Sequence, residues 1–519
     1  MTRPDVGLPS LDEEPLLAVG SSTAETARHM RGSSVIFAGR LLAVVFGLAS
    51  EVLLVRYLSK AEYGSLAYAL SVLSVATSVS VLGLDKAAAR FIPIYEERRD
   101  YARAVGTIIL AALSMVVAGA AVVLVVFVLQ AEATAFTQDP LAAGLLLILI
   151  VLAPVRAIGA LQVSVMSVFS SPGAIFGRRY LLDPGSQLLV VAVVVATGSP
   201  LELLAIGYVA VGIAMVAVYG VVLVRLLATA GIAAHASRLQ LPARSLLSYS
   251  MPLLSTDLVF VLRGALIVIL LEALHSTVEV ASYRASIPIA RQNMIVVEAL
   301  TILFIPVASR LFARRQDIAL NELYWQTAIW ITILTFPLFA ASFAFSELVV
   351  TSLYGAEYAS SGVVLAILAV GFYINAALGF NGLVLRVFSR VRYLVVGDVI
   401  TAAVGLSGGF VLVREFGAIG AAMATAGILI MQNVFYHVGM ARTTSVRWFE
   451  PRYLAVYVSV VAVIAVLTAV QALARPPLPL AIGLSGTVWI LMVLRLRYLM
   501  RLSEVFPELR RVPVVGRLV

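Results

Sequence analysis

Cysteine is absent from this sequence of 519 residues, and histidine occurs only four times, as His29, His235, His275 and His437. Without thiols the chain cannot form disulfides, thiolate metal sites, haem thioethers or a cysteine nucleophile. No H-E-x-x-H pair and no phosphate loop of the type G-x-x-x-x-G-K-[ST] occurs. The sequence therefore gives no reason to expect a metal, an organic cofactor or ATP hydrolysis by the chain itself.

Charge is also scarce. Charged residues make up 13% of the chain, hydrophobic residues make up 61%, and the mean hydropathy is +1.02. A soluble domain is about a quarter charged and about half apolar. The chain has too little polar surface to cover a fold of this size in water, so we predict an all-α polytopic membrane protein.

Long apolar runs give the number of crossings. A membrane-spanning helix needs about 20 mainly apolar residues, and the intervals between the runs are too short for an inserted soluble domain. We predict fourteen transmembrane helices at 33–57, 64–84, 103–130, 141–168, 179–197, 201–227, 246–273, 280–309, 320–345, 361–386, 391–413, 416–440, 453–473 and 477–497.

The distribution of basic residues predicts the orientation. Alternate loops, the helix rims beside them and both tails hold 28 of the 37 lysines and arginines, whereas the opposite loops hold four, Arg56, Lys60, Arg414 and Arg475. Cytoplasmic loops retain positive charge, so we expect both termini to be cytoplasmic and the protein to lie in the cell (inner) membrane. Residues 1–32 are predicted to be a polar tail and residues 498–519 a basic tail. The net charge of +9 thus reflects topology and not nucleic-acid binding.

The first twelve predicted helices contain an internal repeat with an offset of 217 residues. Leu53-Leu54-x4-Ser59-x2-Glu62-x2-Ser65 aligns with Leu270-Leu271-x4-Ser276-x2-Glu279-x2-Ser282. Since six helices are an even number, the two repeats point the same way across the membrane. We predict an N-lobe at 33–227, a linker at 228–244, a C-lobe at 245–440 and two extra helices within 441–497, with a central cavity between the lobes.

Several motifs carry a family resemblance. They are LLVRYLSKAEYG from Leu53 to Gly64, LGLDK from Leu82, RFIP from Arg90, SYSMP from Ser248, LYGAEY from Leu353 and GAIGAA from Gly417. The chain resembles the polysaccharide (O-antigen, Wzx-like) flippases of the multidrug/oligosaccharidyl-lipid/polysaccharide exporter superfamily. The resemblance implies a polyprenyl-diphosphate-linked oligosaccharide as the substrate, membrane lipids around it, and other polysaccharide assembly proteins as further partners to test.

Charged residues inside the predicted helices are the candidate site, because such residues usually face a cavity or a partner. Arginine binds phosphate oxygens bidentately, so the candidates for substrate binding are Arg40, Arg263, Arg284 and Arg291. The candidates for contact with sugar, or for a coupling H⁺ or Na⁺, are Glu51, Asp257, Glu298 and Asp398. Arg284, Arg291 and Glu298 recur every seven residues and are expected to form one stripe along a helix. The structural alternative is internal salt bridges, such as Arg291 with Asp257 or Arg263 with Glu298.

Two other functions stay open at this point. One is an ion-coupled multidrug/cation antiporter of the same fold, although acids usually dominate the cavity of that class. The other is a membrane enzyme of polysaccharide assembly, which would need an acid/base constellation at the outer surface. The predicted outer loops are short, and we find no catalytic set in them. We therefore predict a transporter and not an enzyme.

Overall fold

The computed structural model describes residues 22–129, 139–169, 177–229, 231 and 240–496, with side chains from Gly39 onward and excluding that of Ile302. Every regular element within these ranges is helical. The predicted all-α membrane fold is therefore confirmed. The predicted C-terminal tail, most of the 228–244 linker and most of the predicted outer loop at 131–140 lie outside the described residues.

The described residues of the first half form eight helices, and a short π-helical turn at Gly177–Leu182 precedes the seventh. Their bounds are α1 Ser22–Tyr57, α2 Lys60–Val81, α3 Leu84–Glu97, α4 Tyr101–Val128, α5 Pro140–Leu149, α6 Leu152–Phe169, α7 Asp183–Thr197 and α8 Leu201–Thr229.

The second half continues with ten helices in the part of the chain that the structure describes. Their bounds are α9 Ala243–Leu274, α10 Thr277–Arg291, α11 Ile295–Ala313, α12 Asp317–Phe343, α13 Ser346–Tyr354, α14 Ser361–Ala377, α15 Asn381–Val387, α16 Val391–Thr443, α17 Leu454–Ala474 and α18 Leu478–Leu496.

Among these residues, eleven helical segments are long and apolar enough to cross a membrane. A twelfth is added if Thr277–Thr301 and Leu303–Ala313, which meet at 47°, form one bent span. The helix α1 is not among the eleven, and α16 joins the predicted spans 391–413 and 416–440 across non-helical Gly417 (φ 55°, ψ −130°). A multi-pass membrane protein is thus confirmed, while the count of fourteen and the two-lobe layout stay predictions.

The repeated sequence motif forms helix N-caps. The Ser59 side chain accepts a hydrogen bond from the Glu62 backbone N–H, and the Glu62 carboxylate accepts one from the Ser59 N–H, which makes a complete capping box for α2. Ser276 caps α10 in the same way by accepting from the Glu279 N–H. Glu279 differs, because its carboxylate accepts from the Ala418 N–H at 2.7 Å, beside the break in α16.

The two halves pack along α2, which contacts both α9 and α10 of the second half. Their apolar side chains belong to one hydrophobic cluster that draws on both halves, including Leu66, Leu73, Ile267 and Leu271. Helices α17 and α18 pack against α12 of the second half. The Trp489 indole N–H of α18 donates to the Ile333 carbonyl of α12 at 2.9 Å. Polar side chains on α2, or on the helices that pack against it, would therefore lie between the two halves.

Polar contacts join the halves at both ends of this interface. At the predicted outer end, Arg56 donates to the carbonyl oxygens of Ser352 (2.6 Å) and Leu353 (2.7 Å) in the last turn of α13, where the helix dipole favours a cation. At the predicted inner end, the Arg90 guanidinium lies 4.5 Å from the centre of the Tyr249 ring. Both contacts would have to change if one half moved relative to the other.

Candidate functional site

The interface holds a polar cluster around Glu51. The Tyr63 hydroxyl of α2 donates a hydrogen bond to the Glu51 carboxylate of α1. Arg284 of α10 is close enough to interact electrostatically with both Glu51 and Tyr63. Its Nε is buried and has no hydrogen-bond partner in the described part of the chain. The structure thus brings together two predicted site residues, Glu51 and Arg284, one from each half.

Arg263 and Asp398 form a second cluster, which lies within the second half between α9 and α16. Arg263 is 3.5 Å from the Asp398 carboxylate, and it also donates to the Asp398 carbonyl and, at 3.3 Å, to the Thr401 hydroxyl. Gln432 and Tyr436 donate to the same carboxylate. The alternative that paired Arg263 with Glu298 is wrong, since Asp398 takes that position. These contacts brace α9 against α16.

Asp257 is paired with the first half. Its carboxylate forms a salt bridge with Lys86 of α3, and the two side chains are 29% and 47% exposed. The alternative pairing of Asp257 with Arg291 is therefore wrong. The pair lies beside the contact of Arg90 with Tyr249, so Asp257 takes part in the inner contact between the halves.

Three further predicted site residues, Arg40, Arg291 and Glu298, are exposed. None of them makes a hydrogen bond or an ion pair with the residues that the structure describes. The expected stripe of Arg284, Arg291 and Glu298 does not run along one uninterrupted α-helix, because α10 ends at Arg291 and a 3₁₀ turn at Gln292–Met294 precedes α11.

The first half contains a cavity of about 470 Å³ between α3, α6, the π-helical turn, α7 and α8. Arginines and acids of four of these elements line it, namely Arg156, Arg178, Arg179, Asp85 and Asp183. Tyr208 also lines it and interacts electrostatically with Arg156 and with Glu51. This cavity has the size of a small-ligand site and lies next to the Glu51 cluster.

Arg178 is held firmly in the wall of this cavity. Its side chain donates to the Gln162 amide oxygen at 3.0 Å and to the Gly159 carbonyl at 3.4 Å, and its guanidinium lies 4.1 Å from the centre of the Tyr219 ring. The residue is 4% exposed. It belongs to the π-helical turn, a local structure that occurs frequently at functional sites.

The profile of the polysaccharide biosynthesis protein family matches residues 29–312, which is more than half of the chain. The chain belongs to this family. The matched segment includes Glu51 of α1 and Arg284 of α10, whereas Asp398 lies beyond it. A comparison with curated protein sequences finds no significant match.

Solved structures place this polysaccharide biosynthesis protein among transporter folds. The lipid II flippase MurJ in an inward closed conformation has a TM-score of 0.66 at 14% identity, covering 91% of this chain and 99% of MurJ. An inward-facing multidrug resistance MATE transporter of the MOP superfamily has a TM-score of 0.62 at 12% identity, covering 79% and 98%. A MOP superfamily transporter from Pyrococcus furiosus, described as having a binding pocket of reverse polarity, has a TM-score of 0.53 at 12% identity, covering 83% and 95%. At these identities the matches show the fold.

By their descriptions, the structural neighbours are a lipid II flippase and multidrug transporters, and the likeness of this chain to them is one of fold. Within the described residues, no group of three or more histidine and acidic side chains could hold a metal ion. The family profile confirms the resemblance to polysaccharide biosynthesis proteins that the sequence motifs indicated. The eight predicted site residues stay candidates, and the structure brings only Glu51 with Arg284 and Arg263 with Asp398 into proximity.

Sequence reasoning does not select Arg156, Arg178 or Tyr208 of this polysaccharide biosynthesis protein as site residues. Arg178 lies at a predicted helix rim, where an arginine usually serves as a topological signal. The available signal was the local crowding of Arg178, Arg179 and Asp183 at the start of a span. Only the packing of α6 and α8 against that rim shows that Arg178 turns inward.

Proposed function

We propose that this chain is a flippase that moves a polyprenyl-diphosphate-linked oligosaccharide from the inner to the outer leaflet by alternating access. The proposal rests on the family match and on the transporter fold. It places the protein in the cell membrane with both termini in the cytoplasm. In this proposal the two halves move relative to each other while the polyprenyl tail stays in the bilayer.

The observation that carries the proposal is the position of Arg284. It lies where the halves meet, interacts with Glu51 of the opposite half, and keeps a buried Nε without a hydrogen-bond partner among the described residues. A guanidinium stays charged when buried and can form two parallel hydrogen bonds to a phosphate group. When the halves separate, Arg284 exchanges Glu51 for the diphosphate; when they close, Glu51 competes for it and favours release.

The outer contacts supply the gate that alternating access needs. Arg56 joins α1 to the last turn of α13, and Lys60 lies 3.4 Å from the Ser360 hydroxyl and 5.2 Å from the centre of the Tyr358 ring. These side chains bridge the halves at the end that the charge distribution assigns to the outside. The two N-lobe basic residues on that side thus have a structural role, which explains their departure from the charge rule.

A reconstitution experiment tests the function. Vesicles containing the full chain and a fluorescent polyprenyl-diphosphate disaccharide are treated with an impermeant quencher, and the protected fraction is followed over time. Wild-type protein should equilibrate the lipid between leaflets. Arg284→Ala should lose most of this activity, and Arg284→Lys nearly as much, because a point charge cannot replace two parallel hydrogen bonds.

The matched control is Arg414→Ala. Arg414 is 67% exposed and makes only a 3.9 Å contact with Glu415, so its loss should leave translocation unchanged. In cells, deletion of the gene should strand a lipid-linked oligosaccharide on the cytoplasmic side. No translocation by the wild-type protein, together with an unchanged lipid profile in the deletion strain, would refute the flippase.

An ion-coupled cation antiporter is the second candidate, and the observation that favours it is Glu51. An acid in the membrane interior can carry a coupling proton or sodium ion or bind a cation, and the fold also matches a multidrug transporter. Arg284 beside Glu51 argues against a cationic substrate, since like charges repel in a low-dielectric interior. Sensitivity of a deletion strain to cationic dyes, with normal lipid-linked intermediates, would favour the antiporter.

A further inference from the structure

Arg156 lies in the wall of the first-half cavity near the middle of the segment from Pro140 to Phe169. It makes no hydrogen bond or ion pair with any part of the chain that the structure describes. A guanidinium this far from both ends of a span cannot easily reach the headgroups, and membrane-interior charges usually face a cavity or a partner. Arg156 is thus a cation that faces the cavity without a protein counter-ion bound to it.

Arg178 adds a fixed positive charge on the same cavity wall. Because Gln162, Gly159 and Tyr219 hold its guanidinium, it cannot swing away when a ligand enters. Its interaction with Asp183 is electrostatic, without a salt bridge among the described residues. Three arginines (Arg156, Arg178 and Arg179) line the cavity against two acids, Asp85 and Asp183. The site is therefore preorganised for an anion, with Arg178 raising the local potential and Arg156 free to bind.

The polar groups of the cavity indicate which anion fits. Ser164, Ser186, Gln187 and Tyr208 also line it and can donate hydrogen bonds to several oxygens at once. The volume of about 470 Å³ suits a small polar group and is too small for a whole lipid-linked oligosaccharide. An anion with many oxygens, such as a diphosphate, uses both the charge and the donors.

We propose that this cavity is a second anion subsite, separate from Arg284, in which Arg156 binds the diphosphate of the substrate and Arg178 is a positioning residue. The proposal rests on the proposed flippase function and adds a subsite to it. Glu51 links the two sites, since it interacts electrostatically both with Arg284 and with Tyr208 of the cavity. The diphosphate passes from the interface to the cavity on the side of the first half.

The experiment measures binding to the full chain in lipid nanodiscs at fixed ionic strength. The probes are inorganic pyrophosphate, farnesyl diphosphate and, as an uncharged control, farnesol. Arg156→Gln should weaken binding of farnesyl diphosphate by about tenfold or more, the effect of losing a charge-assisted bidentate contact. Arg414→Gln is the matched arginine control and should bind as the wild type does.

A second variant guards against misfolding. Ala160→Phe keeps every charge but fills the cavity that Ala160 lines, and it should weaken binding as Arg156→Gln does while both variants stay monodisperse. Wild-type affinity in both variants would overturn the subsite, as would the absence of diphosphate binding by the wild type. Full affinity for inorganic pyrophosphate with exclusion of farnesyl diphosphate would also overturn it, because the site would then take a free anion.

The translocation assay is a separate readout for the flippase itself. If the wild type translocates lipid and the Arg156 and Ala160 variants bind farnesyl diphosphate normally, only the subsite fails. If the wild type does not translocate lipid but Arg156→Gln still abolishes diphosphate binding, the flippase fails and the anion site remains. Arg156→Lys distinguishes a bidentate guanidinium contact from the effect of positive charge alone. It should recover less than half of the affinity that Arg156→Gln loses.

Discussion

Gly64 of α2 lies against the backbone of Thr277 at the start of α10. A Cβ atom added at position 64 would stand 1.9 Å from the Thr277 carbonyl oxygen and 2.5 Å from its carbonyl carbon. Since the two residues belong to opposite halves, the missing side chain of Gly64 allows the halves to close at the predicted outer end. The close approach of the two halves thus explains why the LLVRYLSKAEYG motif ends in glycine.

Gly64→Ala should therefore open the outer contact. Overpacking costs about 1–3 kcal/mol, and the clash is with backbone that cannot rotate away, so the closed arrangement should lose stability. The chain has no cysteine, and Ser282 is 5% exposed on α10, so Ser282→Cys reports opening by reacting with an impermeant maleimide added from outside. Labelling should rise at least several-fold in the Gly64→Ala background.

The control for this substitution is Gly144→Ala, because a Cβ at Gly144 of α5 meets nothing within 4 Å. It should leave both labelling and melting temperature unchanged. Equal labelling of Ser282→Cys in the Gly64→Ala and Gly144→Ala backgrounds would show that the outer contact does not depend on this close approach.

Asp398 is expected to act as a brace in the second half. Asp398→Ala removes the acceptor shared by Arg263, Gln432 and Tyr436 and leaves Arg263 without its carboxylate. Loss of one partner of a buried pair costs 3–5 kcal/mol, and since Asp398 is 37% exposed we expect about 1–3 kcal/mol. The measurement is the melting temperature in detergent.

Transport per folded molecule distinguishes a brace from a site in the Asp398 variants. Asp398→Ala should keep it within about twofold of wild type, and Glu415→Ala, at 61% exposure, should change neither stability nor transport. A large fall in transport with an unchanged melting temperature would instead make Asp398 a coupling or sugar-binding residue, as the sequence suggested.

Arg291 should not contribute to stability. It is exposed and has no ion pair with the described residues, so Arg291→Ala should leave the melting temperature unchanged. If Arg291 contacts the diphosphate, Arg291→Lys should impair transport nearly as much as Arg291→Ala. A charge swap of Arg291 with Asp257 should not restore transport, because Asp257 already pairs with Lys86; a functional swapped protein would show that the two residues act as a pair.

Single cysteines test the orientation in intact cells. Ala356 and Ser445 are both exposed, and the charge distribution assigns Ala356 to the outside and Ser445 to the cytoplasm. A cysteine at Ala356 should react with an impermeant maleimide, and one at Ser445 should react only after the membrane is permeabilised. The opposite pattern would reverse the orientation and, with it, the proposed direction of transport.

The sequence alone determined the membrane fold, because apolar runs of about 20 residues satisfy their backbone hydrogen bonds in lipid by forming helices. It also determined the superfamily, through local motifs such as the capping box at Ser59 and Glu62, whose geometry depends on adjacent residues only. Helical spacing predicts charges inside the spans, but it assumes that the segment from Arg284 to Glu298 is one regular helix. The 3₁₀ turn at Gln292–Met294 breaks that assumption.

Only the tertiary structure decided which charges meet. Asp398 lies 135 residues from Arg263 along the chain, and no local spacing specifies that α9 packs on α16 and not on α11. The same holds for Asp257 and Lys86, and for the cavity that gathers Arg156 and Arg178 from separate elements. Ion-pair partners inside a membrane protein are fixed by helix packing, because the backbone hydrogen bonds of each helix are satisfied internally and leave its neighbours to be selected by side-chain fit.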